Sequence, residues 1–296
     1  MIQNNQIPEY PKQIHIEITN KCNLNCIFCP IESVLKNRAQ ALSDIEIIDL
    51  IEQAAEMKVD YIDFVNYGET LLHPKWFEFT KLANKLMGAG KVGMVTNSTI
   101  MSEELMSQFV TSNFALFMFS VDGFSKKCLE SIRIGANRDQ IYANVNYYLN
   151  YLTEHGIRGH TPVVAMTVCD KNVEEVSSFL AYWGRRRVTP KVYRCTGRGG
   201  ERPFTAPNAN PCTVILDGIW VLSDGRCTVC CEDPLGRSIV GDIRQNRLQD
   251  IWNNERFWNF RKAHLEGRKQ DIPLCLSCQT SMDKPTHNIF ISNLRS

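Results

Sequence analysis

Six stretches of apolar, strand-like sequence alternate with helical ones between residues 13 and 194, and this alternation constrains the fold more than any other feature. The segment 13–19, QIHIEIT, alternates apolar and polar residues, as a strand does. Residues 44–57 follow with Ile45, Ile48, Ile51 and Ala55 at helical spacing, opened by Ser43 and Glu46 as a capping box. Further strands are predicted at 60–66, 92–97, 114–122, 161–168 and 188–194. Helices are predicted between them at 74–87, 102–111, 125–132, 138–155 and 172–183. Repeated βα units imply a parallel sheet covered by helices. Six strands fall short of the eight of a closed (β/α)8 barrel. The expected core is therefore α/β, a partial (β/α)6 TIM-like barrel with its working groups on the loops after the strand C-termini. At 195–211, CTGRGGERPFTAPNANP, Gly, Pro and Asn gather and the periodicity stops. That divides the chain into a core domain, 1–200, and a C-terminal unit, 201–296. The latter shows strand-like pieces at 213–222 and 226–231 and a helix at about 248–265.

The balance of charge excludes some partners. Lys and Arg total 33 against 32 Asp and Glu, a net charge of +1, so no global basic field recruits nucleic acid or an anionic membrane. The one local basic run, Arg185–Arg187, reads as a solvated helix end. No apolar run approaches the length of a membrane span. The start, MIQNNQIPEYPKQ, lacks the basic and apolar regions of a signal peptide, so a cytoplasmic protein is expected. In that reducing compartment twelve cysteines point to metal or redox chemistry rather than disulfides. Cys128, Cys169 and Cys195 are isolated and read as small buried hydrophobes. The others are grouped.

The first group is Cys22-Asn-Leu-Asn-Cys26-Ile-Phe-Cys29, directly after the first strand. Thiolates are the usual ligands of iron–sulfur clusters, and a [4Fe–4S] cluster takes four. Three cysteines in one tight loop leave one iron open, as a catalytic site requires; a zinc site completed by a distant residue is the alternative. Gly88-Ala-Gly90-Lys-Val-Gly93 fits G-x-G-x-x-G by letter, but it follows a helix and enters a strand, the reverse of a dinucleotide fingerprint.

The loop resembles the signature of the radical S-adenosylmethionine superfamily, Cys-x3-Cys-x-aromatic-Cys, with Phe28 as the aromatic. Further motifs resemble the family's in order. Tyr67-Gly68-Glu69-Thr70 stands where the family has Gly-Gly-Glu-Pro, with Tyr and Thr as departures. Thr96-Asn97-Ser98 resembles Thr-Asn-Gly, and Ser120-Val121-Asp122-Gly123 resembles Ser-x-Asp-Gly. The resemblance implies that Cys22, Cys26 and Cys29 hold a [4Fe–4S] cluster whose open iron binds S-adenosylmethionine. It implies a cofactor site including Phe28, Gly68, Glu69 (toward the methionine amino group), Asn97, Ser120 and Asp122, with Arg133 reaching the cofactor or the substrate, or else standing as a solvated arginine. It also implies release of a 5′-deoxyadenosyl radical, and an electron donor such as flavodoxin or ferredoxin.

Farther on, Cys212 is followed by Gly225, Cys230, and the pair Cys275 and Cys278. This spacing resembles the auxiliary-cluster domain of the SPASM and shorter twitch type. Four thiolates from Cys212, Cys230, Cys275 and Cys278 would close one auxiliary [4Fe–4S] cluster; a four-cysteine zinc site fits the spacing as well. Cys227 and Cys231 are left over, either inert or able to donate a hydrogen atom to a substrate radical. The length and cysteine arrangement resemble single-auxiliary-cluster alcohol dehydrogenases of aminocyclitol biosynthesis. The expected function is hydrogen abstraction from a carbon of a sugar, cyclitol or similar small molecule, leading to dehydrogenation or epimerisation. The alternative is a maturase of a ribosomally made peptide. About a dozen residues precede the first strand, so an N-terminal peptide-recognition domain is not expected. His15, Glu17, Arg194 and Asp233 are candidates for pocket polarity, and the tail after Cys278 for a closing segment.

Overall fold

A computed structural model describes residues 7–31, 41–195, 212–276 and 278. Its frame is a run of six parallel strands, β1 (Gln13–Ile16), β2 (Tyr61–Asp63), β3 (Val92–Thr96), β4 (Leu116–Ser120), β5 (Val163–Val168) and β6 (Thr189–Arg194). Each predicted strand is present, shorter than the apolar run that announced it. The alternation along β4 shows why the sheet is two-faced. Phe117 and Phe119 pack with Ile14, Ile16, Met94 and Met166 beneath the helices, while Leu116 and Met118 join Tyr61, Val163 and Ala165 on the concave side. Gly93 leaves room there for the Tyr61 ring, since a Cβ at Gly93 would sit 1.6 Å from the Tyr61 hydroxyl.

The helix Asp44–Glu56 begins at the expected box: the Glu46 N–H donates to Ser43 Oγ at 3.3 Å, and the Ser43 N–H to Glu46 Oε2 at 2.8 Å. Its buried stripe differs from expectation. Ile47, Leu50, Ile51 and Ala54 face the sheet, and Ile45 is 80% exposed. Isoleucines at 45, 47, 48 and 51 offered two overlapping stripes, and packing against the sheet selects one.

Beyond residue 211 the chain continues the same sheet. Strand β7 (Gly218–Val221) lies parallel to β1, pairing Gln13 with Gly218 and Ile16 with Val221. Strands β8 (Arg226–Thr228) and β9 (Ile239–Asp242) extend it as antiparallel neighbours. The order is β9-β8-β7-β1-β2-β3-β4-β5-β6. The segment 213–217, expected as strand, is instead one turn of helix. Strand β1 begins only at Gln13, so these β-branched residues have no edge to pair with. The helix expected at 248–265 is two, Leu248–Asn253 and Glu255–Leu265, divided at extended Asn254, whose side chain caps the Phe257 N–H at 2.8 Å. Strand β9 was not foreseen, nor was the short antiparallel pair of Asn25–Cys26 with Arg133–Ile134. The expected boundary at 200 falls in 196–211, outside the described residues, as does the tail from 279. Side chains stitch the later segment to the earlier one: Lys12 to Asp217 at 2.7 Å, Arg244 to Glu46 at 2.6 Å, and the Leu248 N–H to Gln53 Oε1 at 2.8 Å. No described helix is long and apolar enough to cross a membrane.

Candidate active site

The C-terminal ends of β1 to β5 surround one cleft, with a cavity volume of about 270 Å³. Open (β/α) sheets carry their sites at this end because the loops there can vary without disturbing the core. Every residue expected at the first cluster and its cofactor lies on this wall: Cys22, Cys26, Phe28 and Cys29 from the loop after β1, Gly68 and Glu69 after β2, Asn97 after β3, Ser120 and Asp122 at the end of β4, and Arg133. The backbone is strained around it. Of the described non-glycine residues with positive φ, Asn66, Ser98 and Asp122 all follow strand ends here. Gly68 has φ +104°, and a Cβ there would meet the Thr19 carbonyl oxygen at 2.3 Å, so the loops after β1 and β2 touch through the missing side chain.

Hydrogen bonds knit these loops together. Glu69, fully buried, accepts the Asn97 N–H at 2.6 Å and the Leu71 N–H at 3.2 Å. Burial raises its carboxyl above the usual range, and those two N–H groups restrain the rise. Asn97 donates from Nδ2 to Asn23 Oδ1 at 2.7 Å, with Cys22 Sγ 3.7 Å away. Arg133 is buried; its backbone pairs with Cys26 and its guanidinium meets Asp122 at 2.5 Å and the Asn97 carbonyl at 3.3 Å. Asp122 in turn accepts the Thr167 N–H at 2.6 Å. Arg133 Nε is buried with no hydrogen-bond partner among the described residues. One cleft thus holds three thiols in a single loop, a buried carboxylate and an orphaned guanidinium N–H. That donor set suits a cluster with one open iron beside a ligand bearing both an ammonium and a carboxylate.

The sequence pattern of the Radical SAM superfamily matches residues 16–181, more than half of the chain. The chain belongs to the Radical SAM superfamily. Its cofactors are accordingly a [4Fe–4S] cluster and S-adenosylmethionine, joined by an auxiliary [4Fe–4S] cluster, because residues 212–279 match the SPASM iron-sulfur cluster-binding domain.

The second cysteine set of this radical SAM protein also converges. Cys212, Cys230, Cys275 and Cys278 line a second pocket with His264, Glu232 and Lys269. No three His, Cys, Asp or Glu side chains among the described residues meet as a single-ion site. A cluster presents several metal corners and does not require its ligands to meet at one point. Burial raises the Cys212 thiol to about 11 and Cys275 to about 12.

The remaining candidates fall elsewhere. Cys227 is fully buried in the hydrophobic core, paired with Val221 and Gly241, and borders neither pocket. The Cys227 side chain packs in the core cluster. Cys231 is half-buried and lines neither pocket; its carbonyl accepts the Tyr67 hydroxyl at 2.6 Å, and Tyr67 forms part of the cleft wall. The tyrosine that departs from the family motif therefore joins the cleft to the auxiliary-site loop, a contact the sequence did not announce. His15 is buried below the cleft, bonded to Asp63 at 2.8 Å and stacked on Trp220. Glu17 lines the cleft and accepts from Asn66, Tyr67 and Ser223. Asp233 fastens its own turn through Thr228, Arg237 and Ser238. Cys128, Cys169 and Cys195, expected in the core, are half-buried.

Two relatives and one solved structure resemble the chain to different extents. The chain is 22% identical over 268 residues to the S-adenosyl-L-methionine-dependent 2-deoxy-scyllo-inosamine dehydrogenase of Niallia circulans, covering 90% of this chain and 91% of that protein. It is 28% identical over 174 residues to the antilisterial bacteriocin subtilosin biosynthesis protein AlbA of Bacillus subtilis, covering 57% of this chain and 36% of that one. Its fold is shared with the crystal structure of BtrN in complex with AdoMet and 2-DOIA, at a TM-score of 0.65 and 18% identity over 91% of this chain and 93% of that.

Proposed function

We propose that this radical SAM oxidoreductase dehydrogenates a carbinol carbon of a sugar, cyclitol or similar small molecule. The observation that carries the proposal is the placement of the leftover thiols: neither Cys227 nor Cys231 lines the cleft, while four other cysteines share one pocket. Epimerisation needs a hydrogen donor beside the substrate; dehydrogenation needs an electron acceptor. Likeness along nearly the whole length of the inosamine dehydrogenase supports the same choice.

When bound, the cluster and S-adenosylmethionine supply a radical able to take a hydrogen atom from an unactivated carbon. The protein selects which carbon. Cys22, Cys26 and Cys29 hold the cluster. Glu69 takes the ammonium of the methionine moiety, and Arg133 Nε–H offers a donor to its carboxylate. Ser120, Thr167 and Asn66 give the cleft polar edges suited to hydroxyl groups. Oxidising a carbinol to a ketone removes two electrons and two protons. One of each departs as the hydrogen atom, the second proton goes to solvent or a base, and the second electron needs an acceptor. Cys212, Cys230, Cys275 and Cys278, which share one pocket, would hold it.

Incubating the reduced protein with S-adenosylmethionine and a panel of carbinol-deuterated aminocyclitols and sugars tests the proposal. Deuterium is expected in 5′-deoxyadenosine together with a ketone product, and Cys231→Ala should retain both. Loss of product in Cys231→Ala, or a product of inverted configuration, rejects dehydrogenation. Partial likeness to AlbA supports peptide maturation as a second reading; turnover of a peptide but of no polyol would establish it.

The role given to Glu69 has its own signature. A proton and the cofactor's ammonium compete for one carboxylate whose pKa is raised, so affinity for S-adenosylmethionine should fall as pH drops. The fall should begin above the usual glutamate value of about 4.3. Glu69→Gln should weaken binding roughly 10- to 100-fold, the worth of a charge-assisted hydrogen bond of about 1.5–3 kcal/mol, and flatten the pH profile measured by calorimetry.

A further inference from the structure

We infer that His264 and Lys269 tune the auxiliary site, raising the reduction potential of the cluster that Cys212, Cys230, Cys275 and Cys278 hold, so that it takes the second electron of the substrate. The inference rests on the assignment of those four cysteines above. Neither residue belongs to a motif, and both are about 1% exposed.

The local fold brings them together. His264 lies in the last turn of the helix Glu255–Leu265, and Lys269 opens the turn Lys269–Asp271. The helical turn Pro273–Leu276 then delivers Cys275, so one chain reversal points all three at a single pocket.

His264 is bonded at both ring nitrogens. The Cys212 N–H donates to Nδ1 at 3.2 Å, so Nδ1 carries a lone pair and the ring proton sits on Nε2. Nε2 lies 3.4 Å from Cys275 Sγ, and its N–H is therefore directed at a ligand sulfur. A second N–H, from the backbone of Glu232, donates to Cys230 Sγ at 3.3 Å.

Donors to ligand sulfur withdraw electron density and favour the more negative, reduced cluster. A buried ammonium does so more strongly, because charge is poorly screened in a low-dielectric interior. Lys269 lines the same pocket as Cys212 and Cys275, which places its charge beside two ligands. Glu232 lines the same pocket and opposes it.

A redox titration followed by electron paramagnetic resonance tests the inference in the Cys22→Ala/Cys26→Ala/Cys29→Ala background, which leaves the auxiliary site alone. If that parent binds no iron, the auxiliary-site assignment itself fails. If it holds a cluster, Lys269→Met and His264→Leu should each shift the midpoint to lower potential. Lys269→Arg, which keeps the charge, and His264→Gln, which keeps an N–H donor, should stay near the parent. Unchanged midpoints in Lys269→Met and His264→Leu at full iron content overturn the inference. Lys269→Gln replaces Lys269→Met if the latter fails to load. Loss of the cluster in both overturns tuning in favour of a role in assembly.

Discussion

Replacing Cys22, Cys26 and Cys29 together by alanine is expected to reduce 5′-deoxyadenosine formation to background while the second site keeps its iron. The three thiols stand in one short loop fixed at several points. The Leu24 N–H lies 3.5 Å from Cys22 Sγ, the Cys29 N–H donates to the Cys26 carbonyl at 2.9 Å, and Cys26 pairs with Arg133. That loop has its own backbone bonds, so removing sulfur should remove the metal without unfolding the core. Burial raises the Cys26 thiol to about 12, so metal binding must displace its proton and loading should improve as pH rises. Iron analysis of the triple variant should show about half the content of the parent, the share of one [4Fe–4S] cluster of two. Chromatography after dithionite reduction should show no 5′-deoxyadenosine. Replacing Cys212 and Cys230 should give the converse, cofactor cleavage retained and substrate oxidation lost. Cofactor cleavage surviving in the triple variant would overturn the assignment of the first site.

A second large effect is expected at Arg133. Its ion pair with Asp122 has both side chains almost wholly out of water, at 4% and 3% exposure. Such a pair contributes little beyond what packed apolar residues would, but breaking one half strands the other charge at a cost of about 3–5 kcal/mol. Arg133→Met should therefore lower stability by roughly that amount in urea denaturation. It should also abolish tight cofactor binding, since the Asn97 carbonyl and the Asp122 loop lose their common anchor. Arg133→Met combined with Asp122→Leu removes both charges and should recover much of the stability without recovering binding. If the double variant is no more stable than the single, the pair is not the source of the loss.

The sequence made the six-strand core and the first cluster loop legible because both are written locally. The apolar run FALFMFSVD between helical segments marks a buried strand, and Cys22, Cys26 and Cys29 lie within eight residues. What escaped depends on distant partners. TVILD at 213–217 has the composition of a strand and forms a helical turn because no neighbouring edge extends that far. The buried face of the first helix was ambiguous among closely spaced isoleucines until the sheet chose between them. Glu69 was found by its motif, but its grip on the Asn97 N–H required the loops after β2 and β3 to be seen side by side. His264 and Lys269 carried no signal, since an isolated histidine on a helix ordinarily packs or faces solvent. Cys227 shows the converse: it lies among grouped cysteines in the sequence and is buried in the core.

The parallel pairing of β7 with β1 has a consequence for how the chain matures. Lys12 and its partner Asp217 are separated by 205 residues, and until the later of them leaves the ribosome one edge of β1 has no neighbour. Contacts so distant in sequence form slowly, and an open apolar edge invites pairing with the wrong chain. The nascent protein therefore carries its first cysteine loop beside an unfinished sheet until residues 218–221 have been made. Closing that edge and bringing Ser223 against Glu17 are one event, so the wall of the radical site is completed only after residue 223 has been made.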